Sequence, residues 1–173
     1  MKDVLVQLAR YNAAANEALL AILAKLPYSL AQADLKVYYK SILGTFQHIV
    51  MAELSWLKRF DGFFPGPLLG SNPLLAREAA ALKQESGASL AACAALCAEV
   101  DELFVAFAEG LDESKLGERV RYRNMKGEEL ERLYWQTIVH VLNHGTHHRG
   151  EISALLDQNG IANDVSGFTL YTN

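Results

Sequence analysis

Cysteine is scarce in this chain: only Cys93 and Cys97 occur in 173 residues. They stand four apart in an alanine-rich helical stretch, so their side chains project in parallel along one face, a poor geometry for a disulfide. They read as two small apolar core residues, and no histidine nearby in sequence supports a redox or soft-metal role. Long hydrophobic runs are also missing. None approaches the roughly 20 apolar residues that a membrane span needs, and residues 1–10 lack the apolar stretch and small-residue cleavage site of a signal peptide. The expectation is a cytoplasmic protein with no membrane partner. Positive charge is in deficit, with a formal net charge of −4 and a pI near 5.7. The densest basic cluster, Arg119, Arg121, Arg123 and Lys126, is short and is followed by Glu128, Glu129 and Glu131. It reads as an alternating strand face rather than a phosphate-neutralising groove, so no nucleic-acid partner is expected. No Ser-His-Asp arrangement stands out, and neither GxxxxGK[ST] nor GxGxxG occurs, which leaves nucleotide binding unsupported.

What is present is apolar material in helical periodicity. Hydrophobic residues make up 51% and charged residues 21%, enough for one well-packed domain over residues 1–173 and too few charges for disorder. A first helix is predicted over 4–26, with Leu5, Leu8, Asn12, Ala15, Leu19, Ile22 and Leu26 on one stripe and Pro27 as its stop. A second is predicted over 34–60, carrying Val37, Ile42, Phe46, Ile49, Trp56 and Leu57, and ended by Asp61-Gly62. A loop rich in glycine and proline follows over 63–73. A third helix is predicted over 75–109, with Gly87 as a point of interruption because mid-helix glycine costs about 1 kcal/mol against alanine. Val120 to Arg123 alternates and 124–127 is turn-like, which suggests a short hairpin. The fourth helix is predicted over 128–159, closed by Asn159-Gly160, with an irregular tail over 161–173. The fold class is therefore all-α: a four-helix bundle with a short hairpin or extended segment before the last helix, and with connections too long to require simple up-down packing.

Four of the five histidines fall close together in the run HVLNHGTHHRG: His140, His144, His147 and His148. Residues i and i+4 of a helix are offset by about 40° and rise about 6 Å, so their imidazoles can converge on one ion. His140 with His144, and His144 with His148, both have this spacing, whereas His147 points about 60° off the 144/148 axis. A helical pair needs a third ligand from another helix. His48, in the apolar segment FQHIV, is the remaining histidine and would be costly to bury without a partner. Three neutral imidazoles with open positions suit catalysis better than a closed structural site. The same cluster is also compatible with a solvated helix face and a hydrogen-bonded core histidine.

The stretch YRNMKGEELERLYWQTIVHVLNHGTHHRGEISALLDQNG, and within it NHGTHHRGEISALL, resembles the DinB family of bacterial, damage-inducible proteins. The second helical segment, SILGTFQHIVMAELSWLKRFDG, is similar to that family in its histidine, acidic residue and Trp-Leu spacing. The resemblance implies a metal triad of His48, His144 and His148, with His140 outside it. It also implies a homodimer. The metal is expected to be a divalent transition metal; imidazole ligands suit zinc, nickel, copper and iron, with zinc or nickel the expected ions. Gln47 stands where the family has asparagine and Glu151 where it has glutamine, changes that spare the ligands but touch their surroundings. The wider superfamily includes metal-dependent transferases that use low-molecular-weight thiols such as bacillithiol or mycothiol, so thiol S-transfer, or a related hydrolase or isomerase reaction, is the implied activity. A metal-binding stress protein without turnover is the alternative.

Around the triad, Glu53 and Asn143 are candidates to orient a ligand imidazole or a water, and His147 or Glu53 to assist proton transfer. Arg149 reads either as an inter-helix ion pair or as an anchor for an anionic substrate group. Gly145 and Gly150 read as points of close helix approach. Trp56, Tyr134 and Trp135 read as core or interface residues. No catalytic residue is assigned.

Overall fold

The computed structural model describes residues 1–124, 126–164 and 167–171, the side chain of Leu170 excepted. Part of the turn predicted over 124–127 and part of the irregular tail lie outside the described residues. The elements in chain order are α1 (Lys2–Leu23), α2 (Tyr28–Gln32), α3 (Ile42–Phe63), α4 (Pro67–Gly70), α5 (Pro73–Ala76), α6 (Ala79–Gly87), α7 (Leu90–Glu109), β1 (Arg119–Arg123), β2 (Glu129–Leu133) and α8 (Tyr134–Gln158), with short 3₁₀ turns at Glu113–Lys115 and Phe168–Leu170. The fold is mainly helical with one small antiparallel hairpin, as expected. Among the described residues no helix is long and apolar enough to cross a membrane.

The long helices α1, α3, α7 and α8 form the bundle. Both α1 and α3 pack on α7 and on α8, so α1 and α3 stand diagonally opposite and the chain crosses the bundle between them. Their apolar stripes meet in one core, where Leu19, Phe46, Ile49, Phe60, Phe104, Ile138 and Leu156 are almost wholly buried. Each such side chain contributes roughly 1.5–3 kcal/mol through removal from water. Phe60 and Phe107 stack with ring centroids 4.9 Å apart. Cys93 and Cys97 are free and buried in this core, as their spacing suggested.

Three predicted boundaries are corrected. The second long helix starts at Ile42, not near 34. Asp34 Oδ1 accepts from the backbone N–H of Lys36 at 2.9 Å in a turn, Lys36 and Lys40 take left-handed φ values of 61° and 68°, and Ser41 supplies the actual N-cap by accepting from Gly44 N at 3.0 Å. The third predicted helix is divided into α5, α6 and α7. The break falls just after Gly87, where Ser89 caps α7 through Ala92 N at 3.0 Å. The fourth begins at Tyr134 because 129–133 pairs as β2 with β1. On the exposed face of that hairpin Arg119 and Arg121 both reach Glu131, at 3.0 and 2.8 Å. The basic cluster is thus a strand face paired to its own acidic neighbour.

The two helical glycines of α8 behave differently. A Cβ on Gly145 would lie 2.7 Å from Asn12 Oδ1 and 3.1 Å from Arg149 Nη1, so α8 approaches α1 through this position. A Cβ on Gly150 would meet nothing within 4 Å, which removes the expectation of close approach there. Gly145→Ala is therefore expected to destabilise the fold by about 1–3 kcal/mol through overpacking, against the helix preference of alanine. Gly150→Ala should stabilise it by about 0.5–1 kcal/mol. Urea unfolding of the two variants reads both signs.

Candidate metal centre

His48 sits in the second turn of α3, and His144 and His148 lie one turn apart on α8, the helix packed against α3. Their Nε2 atoms converge: His48 to His144 is 2.9 Å and His144 to His148 is 3.1 Å. Three imidazoles on one tetrahedral ion at metal–nitrogen distances of about 2.0–2.1 Å would hold their nitrogens roughly 3.3 Å apart. The donor set fits a divalent transition metal in both chemistry and spacing. His140 does not join the cluster. Its ring centroid is 6.3 Å from that of His144 and 5.5 Å from that of Trp56.

The electrostatics favour neutral ligands. Burial, and then the neighbouring imidazole of His148, push both His48 and His144 down to a pKa of about 4. Neutral imidazole is the form that ligates a metal. His148 is oriented from behind: its Nδ1 lies 2.7 Å from Glu151 Oε2. Burial pushes the Glu151 carboxyl up, but the hydrogen bond and charge interactions with His148 and His147 outweigh it, and its pKa is lowered. An ionised carboxylate only accepts hydrogen bonds, so Nδ1 carries a proton towards Glu151 and Nε2 of His148 is turned to the other two nitrogens. Glu151, noted in the sequence as a departure from the family's glutamine, is the residue that completes this orienting pair. His147 is exposed and lies against the other oxygen of Glu151, Nε2 to Oε1 3.1 Å. The Nδ1 atom of His144 is buried with no hydrogen-bond partner among the described residues.

Sequence reasoning missed Tyr39, which it had assigned to a helix. From the loop before α3, the Tyr39 hydroxyl lies 2.7 Å from His48 Nε2 and its ring stacks on His48 with centroids 4.0 Å apart. No spacing signal marks it, because the loop alone brings it to the histidines.

Glu53 and Arg149 are placed away from the Nε2 cluster, in the interior of the bundle. Arg149 Nη1 donates to Asn12 Oδ1 at 2.7 Å and to Asn16 Oδ1 at 2.8 Å, and Nη2 donates to Thr146 Oγ1 at 3.1 Å. Asn12 Nδ2 donates to Glu53 Oε1 at 2.9 Å, and Asn16 Nδ2 to Asp101 Oδ1 at 3.0 Å. Burial raises the pKa values of both Glu53 and Asp101. Of Asn12, Asn16 and Asp101, only Asn12 stands out in the sequence, as a polar residue on the apolar stripe of the first helix; nothing there marks Asn16 or Asp101. Asn143 is exposed and lines a shallow depression with Trp135 and His140. On the flank of His48 and His144, a groove of about 430 Å³ opens between α3, α8 and the hairpin, lined also by Met51, Trp56, Arg59 and Tyr122.

The family model for the DinB family matches residues 1–172. The chain belongs to the DinB family. It is 26% identical over 176 residues to Protein DinB of Bacillus subtilis (strain 168), an overlap covering 99% of this chain and 95% of that protein. No solved structure matches. Family membership and the histidine cluster together agree with a DinB-like metal-binding protein.

Two outcomes are expected at this centre. His48→Ala, His144→Ala and His148→Ala should each lose most bound metal by elemental analysis, and with it the metal-dependent rise in melting temperature. His140→Ala and His147→Ala should retain both. In metal-stripped protein the folded-state values near 4 for His48 and His144 lie below the ordinary histidine value of 6.5. The unfolded chain then binds more protons between those limits, so their contribution is fully favourable above about pH 6.5 and is lost as pH falls towards 4. The raised acidic pair Glu53 and Asp101 contributes with the opposite slope. The readout is therefore the difference between wild type and His48→Ala: the variant's melting temperature should fall less steeply over this window.

Proposed function

We propose that this DinB-family chain holds zinc or nickel on His48, His144 and His148 and catalyses transfer of a low-molecular-weight thiol to an electrophile. The observation that supports it most is the convergence of three Nε2 atoms beside an open groove, which leaves one side of the site accessible. A divalent metal held there supplies a Lewis acid that lowers the pKa of a thiol and favours the nucleophilic thiolate at neutral pH.

The chain's own residues do the rest. Glu151 holds the Nδ1 proton of His148 and so aims its Nε2 at the site. Burial, and then the neighbouring His148, keep His48 and His144 neutral. The Tyr39 hydroxyl, within hydrogen-bond reach of His48 Nε2, stands where it can donate to a developing negative charge. Burial raises its pKa, followed by the nearby Tyr38 and Glu151, so the phenol keeps its proton at neutral pH. In the transfer, the sulfur electron pair forms the S–C bond, the leaving group departs with the pair of the broken bond, and the thiol proton passes to solvent.

Protein loaded with zinc or nickel should accelerate the reaction of at least one bacterial thiol with 1-chloro-2,4-dinitrobenzene, followed by the absorbance of the thioether. Metal-stripped protein and His148→Ala should match the uncatalysed rate. A panel of thiols that all react at background with the loaded protein would leave metal binding without turnover as the function.

A further inference from the structure

The groove beside His48 and His144 combines aromatic walls with one arginine. Its walls are the rings of Trp56 and Tyr122, with centroids 5.0 Å apart, and the side chains of Met51 and Leu130. No aspartate or glutamate lines it, in a chain whose net charge is −4. The Arg59 guanidinium lies 4.8 Å from the Trp56 ring centroid and 5.8 Å from that of Tyr122. Its one polar contact is a long one, 3.4 Å to the carbonyl of Arg123, and it has no carboxylate partner among the described residues. Most other arginines on this face are paired: Arg119 and Arg121 with Glu131, and Arg123 with Glu129 at 4.0 Å.

A guanidinium lying against aromatic rings without a carboxylate partner keeps N–H groups for a planar anion, and carboxylate matches that fork. The rings between it and the triad form a continuous path. Trp56 is 5.5 Å from His140, His140 is 6.3 Å from His144, and His144 is 4.8 Å from His48, all between centroids. Trp56 follows His48 by about two helical turns, a rise of about 12 Å. We infer that this groove is the binding site for an aromatic or similarly apolar carboxylate, whose carboxyl group pairs with Arg59 while its far end reaches the three histidines. This deepens the thiol-transfer proposal by naming its electrophile class, and rests on it only for the chemistry at the histidine end.

The test uses the full chain and two probes of one shape, 4-phenylbutyrate and its uncharged amide, titrated by calorimetry into zinc-loaded and metal-stripped protein at low salt. The acid should bind at least about 5-fold more tightly than the amide in both forms, the difference expected of a charge-assisted bond of about 1 kcal/mol or more. Arg59→Gln should abolish that preference, and Arg59→Lys should retain part of it. Raising the salt should shrink it in the wild type. Equal affinities for acid and amide in the wild type, or no binding of either, would overturn the inference whether or not the variants fold. A preference that survives Arg59→Gln but disappears with the metal would overturn it too, by placing the carboxyl group on the ion instead. Failure of the chain to take up zinc would sink the metal reading alone, because the acid-to-amide ratio in metal-free protein still decides the groove.

Discussion

Burying a guanidinium inside a helical bundle costs several kcal/mol unless its N–H groups meet acceptors held in place for them. In this protein Arg149 is 2% exposed, and the side chains of Asn12 and Asn16, one turn apart on α1, receive it at 2.7 and 2.8 Å. Breaking either contact would leave a buried charge short of partners, so the rotation of α8 about its axis is tightly set. Arg149 directly follows His148. Fixing one on the α1 side of the helix fixes the other on the α3 side, where His48 waits. Gly145 serves the same constraint, since any side chain there would enter the space of Asn12.

The polar interior and the histidine centre are thus two faces of one helix, built on opposite principles. In the interior, Glu53 and Asp101 are buried close enough that their charges oppose each other, and both hold protons more tightly than an exposed carboxyl does. The amides of Asn12 and Asn16 link these acids to Arg149, so the charges are spread over a hydrogen-bonded network rather than concentrated in a direct ion pair. At the histidine face, burial works on bases instead of acids and drives protons off. The outcome is three ring nitrogens turned towards one another, two of them on imidazoles that burial keeps neutral, a donor set ready for a cation. The cost of assembling it is met by packing of α3 against α8 and by the carboxylate of Glu151 behind His148.

Much of this was legible in the residue order. The 3.6-residue periodicity located the four long helices, since an apolar stripe can be buried only against another. Spacings of four marked His144 and His148 as a pair on one face, and an apolar context marked His48 as its partner. Helix ends were less legible, because they depend on side-chain contacts that compete with helix formation: Asp34 folds back on Lys36, Ser41 takes the cap, and Glu131 finds two arginines across a hairpin. Gly145 and Gly150 look alike in sequence, yet only one faces another helix.

What the sequence determined by itself, then, was the class of fold and a histidine-rich turn of the last helix able to pair with His48, because both follow from local helical geometry and side-chain chemistry; the choice of His148 over His140 came from the family resemblance. Only the tertiary structure decided that Tyr39 reaches the histidines, that Arg149 and Glu53 turn inward to Asn12 and Asn16, and that Arg59 lies over Trp56 and Tyr122. These contacts join residues from different elements across the bundle. Their distances are set by how helices and hairpin dock, which no periodicity along a single chain segment encodes.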